Sequence, residues 1–263
     1  MTDTTEVIDT GADAPEPPRR RGRGWIVAGV VVAVLVALVV VADVVVRNVV
    51  EQVAADQVEQ RLPDGVEGDV TVRIGGWSVL AQAIGGTASE VRVEAPDLTV
   101  DGVPVPAEIV ATDVPVRLDG PIGHVDATIE LSEDALNALV HRSDIVGGFT
   151  LGDGTVGYDD TIDLLGFSIP YSATAEPEAA GTMVLLTPVA VEVGGQGGRG
   201  IDITRLVSDA VLGGEPLRVC AAEHLPPGVE VSGIAVSTGE AVVRLSADDV
   251  MPDAEHLAGH GSC

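Results

Sequence analysis

The chain has 263 residues, of which 46% are hydrophobic and 2% aromatic, and its 41 acidic residues outnumber 14 basic ones for a formal net charge of −27. This apolar content is enough for a buried core, which excludes a disordered acidic polymer. The charge argues against nucleic acid as a partner, because phosphate binding requires clustered cations. A core built from Val, Ile, Leu and Ala favours β-strands.

The N-terminal region reads as a tail followed by a membrane anchor. Residues 1–24 are polar and predict a disordered cytoplasmic tail, whereas residues 25–46 are apolar except for Asp43. As a helix the second segment spans about 33 Å, which matches the hydrocarbon thickness of a bilayer. A basic cluster precedes it, so the positive-inside rule predicts a single-pass protein with a cytoplasmic N-terminus. The cluster consists of Arg19, Arg20, Arg21 and Arg23.

A cleaved signal peptide is the alternative, because residues 40–42 resemble a small-residue cleavage site. The apolar run is longer than the usual signal-peptide core of about 7–15 residues, which favours the uncleaved anchor. Both alternatives place the remainder in a periplasm-like envelope space. Beyond residue 46 the chain has 10 arginines and 35 acidic residues, a formal charge of −25.

Residues 44–62 predict an amphipathic helix that continues from the anchor. Their apolar side chains recur at steps of three and four residues, with polar and acidic residues between them. Pro63 and Gly65 predict the end of this helix. Its apolar stripe is expected to be covered by the strands that follow.

The rest of the domain, residues 47–250, predicts serial strands separated by Gly, Pro or Asp turns. Short helices are expected over residues 133–141 and 203–212. Ser132 and Ser246 each end a strand and resemble helix N-caps. Residues 251–263 are expected to form a C-terminal tail. The predicted strands cover residues 69–74, 90–95, 98–100, 114–118, 125–131, 154–160, 161–169, 171–175, 181–186, 189–193, 229–237 and 240–245.

No motif indicates catalysis or a cofactor. Residues 195–200 match the glycine pattern of dinucleotide-binding turns, but the surrounding strands do not alternate with helices as that fold requires. No Gly-x-Ser-x-Gly nucleophile motif is present, and the histidines are scattered. We therefore predict a protein that is not an enzyme and has no cofactor.

The two cysteines, Cys220 and Cys263, predict a disulfide in an exported domain. A zinc site is the alternative, because His256, His260 and Cys263 have suitable spacing for three ligands. No fourth ligand is evident in the sequence. The disulfide is therefore the favoured interpretation, and no metal site is predicted.

Several segments resemble the LmeA-type phospholipid-binding family of actinobacterial cell-envelope proteins. The resemblance extends over about residues 44–250 and differs from the usual pattern at Trp77 and Ser78, where Phe-Pro is expected. The matching segments are the helix over 44–62, residues 70–74, the block GWSVLAQAIGG at 76–86, and residues 89–95, 225–229 and 242–246.

The resemblance implies an α+β fold in which a strongly curved antiparallel β-sheet wraps around a long amphipathic helix. This arrangement is half of a tubular lipid-binding-like fold and encloses an apolar channel for acyl chains. The resemblance also implies a phosphatidylinositol-type phospholipid as partner and a role in envelope lipid or lipoglycan maintenance. Each methylene buried in such a channel contributes about 0.8 kcal/mol.

The resulting hypothesis is a membrane-anchored, non-enzymatic phospholipid-binding protein. Arg73 and Arg92 are predicted to lie near the headgroup. The alternatives are an envelope interaction or assembly module with a filled core and, third, an envelope hydrolase. The residues predicted to contact acyl chains are Val49, Val53, Trp77, Leu80, Ile84, Phe149, Leu164, Leu165 and Phe167.

Overall fold

The computed structural model describes residues 23–60, 62, 65–142, 147–164, 167–193, 216–253, 256 and 259–263. The predicted tail up to residue 22, the glycine motif at 195–200, the helix at 203–212 and Leu165 lie outside the described residues. The chain divides into two compact units, Met1–Val44 and Val45–Cys263. The second unit, called the body below, contains all the strands that the structure describes.

The described elements are one long helix, two short helices, a 3-10 turn and antiparallel strands that mostly follow one another directly. In chain order they are α1 (Arg23–Glu59), β1 (Val66–Glu67), β2 (Thr71–Ile74), α2 (Val79–Gly85), β3 (Thr87–Ala95), β4 (Thr99–Val100), β5 (Val103–Pro104), β6 (Ala107–Pro115), β7 (Ile122–Ser132), α3 (Glu133–Arg142), β8 (Gly148–Leu151), β9 (Val156–Leu164), β10 (Phe167–Ala180), β11 (Met183–Val193), β12 (Leu217–Cys220), a 3-10 turn (Ala222–His224), β13 (Glu230–Ser237) and β14 (Glu240–Val250).

The helix α1 includes both the predicted anchor and the predicted amphipathic segment without a break. Its stretch Val32–Glu59 is long and apolar enough to cross a membrane. Length and composition of this kind are shared by membrane spans and by N-terminal signal sequences. The helix is therefore a candidate membrane span.

The strands form three antiparallel sheets, so the fold is α+β as predicted. A six-stranded sheet has the order β13-β14-β7-β6-β3-β2, a five-stranded sheet has the order β12-β11-β10-β9-β8, and a small sheet joins β1, β4 and β5. The prediction of one strongly curved sheet around the helix was wrong: the sheets are separate and not strongly curled. Soft sequence patterns locate strands but do not fix how they divide into sheets.

The second half of α1 packs against the edge of the six-stranded sheet. Val70, Val72 and Ala95 are buried there against small residues of the helix. Edge strands leave backbone N–H groups free, and the helix supplies acceptors for them. The Val70 N–H donates to Glu59 Oε1 (2.9 Å) and the Ile74 N–H to Glu51 Oε1 (2.8 Å).

The five-stranded sheet meets the six-stranded sheet at β13. Gly181 and Val231 form an antiparallel bridge, in which the Val231 N–H donates to the Gly181 carbonyl (2.8 Å). At the opposite edge, β8 is covered by α3. The predicted cap of α3 is confirmed, because Ser132 Oγ accepts from the Ala135 N–H (3.1 Å).

The corresponding helix expected after Ser246 is absent, since β14 continues to Val250. Ser246 is paired on both sides, with Glu230 of β13 and Asp126 of β7. These two ladders override the local capping signal, because cross-strand pairing in a sheet interior outweighs a single cap.

Candidate functional site

An apolar cavity with a volume of about 690 Å³ lies on the five-stranded sheet of the body. We call it the groove. All five strands of this sheet, or residues next to them, contribute to its wall. The lining residues are Phe149, Val156, Tyr158, Ala173, Thr174, Ala175, Leu186, Pro188, Val191, Pro216, Leu217 and Arg218.

The groove arises from a difference in side-chain size between central and outer strands. The central strand β10 contributes Ala173 and Ala175, with a register shift between Thr174 and Ala175. Larger side chains stand on both sides, Phe149 on β8 and Leu186 on β11. Small residues between larger ones leave an apolar depression that the protein itself does not fill.

Aromatic rings form one wall of the groove. The Phe149 and Tyr158 ring centroids are 5.1 Å apart, and those of Tyr158 and Tyr171 are 6.2 Å apart. The Tyr158 hydroxyl donates to Asp160 Oδ2 (3.0 Å). Partial burial and then this carboxylate raise the pKa of Tyr158 to about 12. The phenol is therefore neutral at physiological pH, as an apolar wall requires.

The helix α3 holds Phe149 in position. Two of its side chains hydrogen-bond to the backbone of β8, as a neighbouring strand would do. Asn137 Nδ2 donates to the Phe149 carbonyl (2.7 Å), and Asn137 Oδ1 accepts from the Phe149 N–H (2.7 Å). Glu133 Oε2 accepts from the Leu151 N–H (2.7 Å). The role of Asn137 could not be predicted from the sequence, because its position inside an ordinary short helix gives no signal for a tertiary contact.

The predicted disulfide is present and lies beside the opposite wall. Cys220 at the end of β12 is joined to Cys263, with a Cα–Cα distance of 5.9 Å. The strand β12 pairs with β11 and brings Leu217 and Arg218 to the groove. Because Cys263 is bonded to Cys220, it cannot serve as the zinc thiolate considered from the sequence. Among the described residues, no group of three or more His, Cys, Asp or Glu side chains could hold a metal ion.

Arg218 is the cation of the groove. Its side chain is exposed and lines the same cavity as the apolar residues. It makes no ion pair with the other residues that the structure describes. A guanidinium in this position is available to a phosphate or carboxylate whose apolar part enters the groove.

Of the predicted acyl-contact residues in the second half of the chain, only one can be assigned to the groove. Phe149 lines the groove. Leu164 and Phe167 face each other as backbone partners at the β9–β10 turn, but their side chains lie outside the described part, as does all of Leu165. For these three residues a contact with lipid stays a prediction.

The predicted acyl-contact residues of the first half do not line the groove. Trp77 and Ile84 protrude from the region of α2 and are 86% and 90% exposed, whereas Leu80 is half-buried. Val49 and Val53 lie on the face of α1 that is opposite to its packed residues, and each is about half exposed. The structure therefore separates the predicted acyl contacts into at least two places.

Arg73 and Arg92, the predicted headgroup residues, share a second cavity of about 580 Å³ with Arg47. We call it the polar cavity. Arg73 Nη1 lies 3.0 Å from Glu94 Oε1, and Arg92 pairs with Glu108 and Glu90. A phosphate would have to compete with these carboxylates. The two residues lie together as a headgroup site requires, but on the other sheet from the groove.

The fold and the groove define an α+β protein with an apolar cavity of the size that accepts a lipid-like ligand. A family model described as LmeA-like phospholipid-binding matches residues 41–246. This match extends over most of the chain, so the chain belongs to that family, whose members are lipid-binding proteins and not enzymes. No curated protein and no solved structure is significantly similar to the chain.

Proposed function

We propose that the protein binds a phospholipid with its acyl chains in the groove of the five-stranded sheet. The observation that carries this proposal is an open, apolar cavity of about 690 Å³ in a member of a phospholipid-binding family. A cavity of this size lies within the range of about 300–1,000 Å³ that small-molecule sites occupy. Burial of roughly ten methylenes would contribute about 8 kcal/mol before the costs of association.

Arg218 supplies the polar end of this site in our proposal. An anionic headgroup at the rim would accept charge-assisted hydrogen bonds from its guanidinium. The phosphatidylinositol-type headgroup belongs to the proposal through the family resemblance. The polar cavity of Arg73 and Arg92 is the alternative headgroup site, which calls for a direct comparison of the two.

The proposal also concerns where the lipid is handled. We infer that α1 anchors the protein in the cell membrane with its N-terminus in the cytoplasm. The body then lies in the envelope space, where it supports envelope lipid or lipoglycan maintenance as half of a tubular-type lipid binder. The length and apolar composition of α1 and the disulfide of the body support this placement.

The proposal is tested by filling the groove. Ala173→Phe places a ring on the central strand inside the groove, whereas Ala180→Phe places the same ring on an exposed position at the end of the same strand. We expect the wild-type chain and Ala180→Phe to co-purify with phospholipid and to take up a fluorescent phospholipid. Ala173→Phe is expected to lose both properties while it unfolds at a similar urea concentration.

Lipid mass spectrometry of the purified chains provides the decisive readout. If the wild-type chain carries no phospholipid and takes up no fluorescent analogue, lipid binding is excluded and an envelope interaction module becomes the better account. If Ala173→Phe binds lipid as the wild type does, the family function stands but the groove is the wrong site.

A further inference from the structure

Four exposed apolar side chains lie at one end of the six-stranded sheet, away from the groove. Trp77 and Ile84 protrude from the segment that contains α2, and Val116 and Leu118 follow β6. The Val116 N–H donates to the carbonyl of Gly86 (3.0 Å), which joins the two segments. We call Trp77, Ile84, Val116 and Leu118 the apolar knob.

The apolar knob is held in place by its own hydrogen bonds. The Gln82 side chain donates to the Gly75 carbonyl (3.0 Å) and accepts from the Ser89 N–H (2.7 Å), so it closes the segment around α2. Gly76 has φ of +89°, and a Cβ there would lie 2.7 Å from Gln82 Nε2, so this turn requires glycine. The exposed side chains are therefore presented on a well-defined support.

The position of the apolar knob follows from the direction of α1. The Arg47 guanidinium donates to the carbonyls of Ile74 and Gly76 at the end of β2, the second at 2.9 Å. Further along the helix, Glu59 accepts from the Val70 N–H before β2 begins. The helix and β2 thus run in opposite directions. The knob lies at the Arg47 end, and Arg47 is the first residue after the predicted anchor.

The chemistry of this end differs from that of the remaining body. The body has a formal charge of −25, and residues 75–89 contain no charged side chain, whereas the second segment of the knob carries Arg117 and Asp119. Val49 and Val50 of α1, which follow the predicted anchor, are also exposed. Tryptophan is the side chain most typical of the membrane–water interface, since it combines a large apolar ring with one donor.

We propose that the apolar knob inserts into the interface of the bilayer that α1 spans, so that the body is attached to the membrane at two points. This inference rests on the anchoring part of the proposed function. Insertion is expected to reach about 5–10 Å, the depth typical of interfacial apolar faces. It depends on apolar burial, because the acidic body offers little attraction to anionic lipids.

The two tryptophans of the chain allow a direct test. The full chain is reconstituted into phosphatidylcholine vesicles as two variants. Trp25→Phe leaves Trp77 as the fluorescent reporter of the knob, and Trp77→Phe leaves Trp25 as the reporter of the anchor. Phosphatidylcholine with brominated acyl chains then quenches a tryptophan that lies in the bilayer, and iodide quenches one that lies in water.

We expect the bromolipid to remove most of the Trp77 emission and iodide to leave it nearly unchanged. Ile84→Asp in the Trp25→Phe chain is expected to reverse both results, because a carboxylate would have to enter the interface. Val189→Asp, at an exposed position on β11, serves as the matched control and should behave like the parent. The same quenching in an Ala173→Phe chain would show that lipid in the groove is not its source.

The outcomes separate this inference from the proposed function. If Trp25 is quenched by bromolipid and Trp77 by iodide, the anchor stands and the knob proposal is overturned. If both tryptophans respond only to iodide, anchoring and the knob proposal fail together, whereas lipid uptake by the groove is untouched. Protection of Trp77 from both quenchers would indicate a protein partner or a second copy and also overturn membrane insertion.

Discussion

The groove of the five-stranded sheet and the apolar knob of the six-stranded sheet are both apolar, but they differ in shape and surroundings. In the groove, small residues such as Ala173 lie between larger ones, so that the surface is concave. In the knob, Trp77 and Ile84 extend outward from the region of α2. A concave apolar surface can surround a single acyl chain, whereas a protruding one can only enter an existing apolar phase.

The two regions also differ in whether their arginines are paired with carboxylates. Arg218 at the groove has no carboxylate partner among the described residues, while Arg73 and Arg92 near the knob are both paired with glutamates. A guanidinium beside an apolar cavity is suited to recognition of one ligand. Paired charges at a sheet edge contribute little binding energy and mainly satisfy one another.

The first prediction concerns the disulfide beside the groove. Its removal is expected to destabilise the five-stranded sheet and to leave the six-stranded sheet, which carries the knob, unchanged. Replacing both cysteines by serine removes the bridge between Cys220 and Cys263, which are 43 residues apart. A loop of about this length predicts a loss of about 4 kcal/mol in the free energy of unfolding. Urea unfolding of the oxidised wild type and the double variant measures it. Hydrogen exchange should rise in β11 and β12 and remain slow in β3 and β6.

Equal urea midpoints for the two proteins would contradict the prediction that the bridge stabilises the fold. The wild type treated with a reductant provides the control, since it should match the double variant. If hydrogen exchange rises equally in both sheets, the two regions unfold as one cooperative unit. The groove and the knob would then not differ in stability.

The second prediction concerns Asn137, which holds Phe149 at the groove. Asn137→Ala leaves the Phe149 N–H and carbonyl without their side-chain partners. We expect a loss of about 2 kcal/mol in the free energy of unfolding and weaker uptake of fluorescent phospholipid, since the aromatic wall loosens. Asn137→Asp keeps the acceptor for the Phe149 N–H. Its free energy of unfolding should therefore lie between those of the wild type and Asn137→Ala. Unchanged stability in Asn137→Ala would show that β8 does not depend on α3.

Sequence patterns predicted the local elements of both regions better than their relation to each other. The cap at Ser132 and the pairing of Cys220 with Cys263 were expected from residue types. These features depend on nearby residues or on a single pairing choice. The division of the strands into separate sheets depends on many long-range pairings, which a single sequence does not display.

The residues of the candidate site were also only partly predictable from the sequence. Phe149 was among the predicted acyl contacts, but Ala173 and Ala175 carry no signal, because a cavity is defined by small residues that do not stand out in a sequence. Trp77 and Ile84 were predicted to contact acyl chains. Only their exposure shows that they lie outside the groove, which led to a different proposal for them.

The third prediction separates the two possible headgroup sites. Arg218→Gln is expected to weaken binding of phosphatidylinositol by about fivefold, or about 1 kcal/mol, because an exposed guanidinium is partly screened by solvent. Binding of a neutral diacylglycerol should not change. The double variant Arg73→Gln and Arg92→Gln serves as the control at the polar cavity. If the double variant loses anionic lipid and Arg218→Gln does not, the headgroup lies at the polar cavity.

The smallest expected effect is a pH dependence confined to the six-stranded sheet. His124 Nδ1 lies 2.6 Å from Asp248 Oδ1, and His124 Nε2 lies 3.2 Å from Asp126 Oδ2. The hydrogen bond with Asp248, opposed by partial desolvation and assisted by Asp126, raises the pKa of His124 above 6.5. The protonated imidazole is therefore favoured in the folded state. Its contribution is complete below the unfolded pKa and is lost as pH rises through the folded pKa.

His124→Gln is accordingly expected to lower the free energy of unfolding by about 0.5 kcal/mol near pH 5.5, because the exposed pair is weakened by solvent, and by less near pH 8. Urea unfolding of both proteins at the two pH values measures how the effect of the substitution on the free energy of unfolding changes with pH. Phospholipid uptake by the groove should stay constant over the same range, since Tyr158 has a pKa of about 12. A pH-dependent uptake that disappears in His124→Gln would show that the six-stranded sheet controls the groove and that the two regions are not independent.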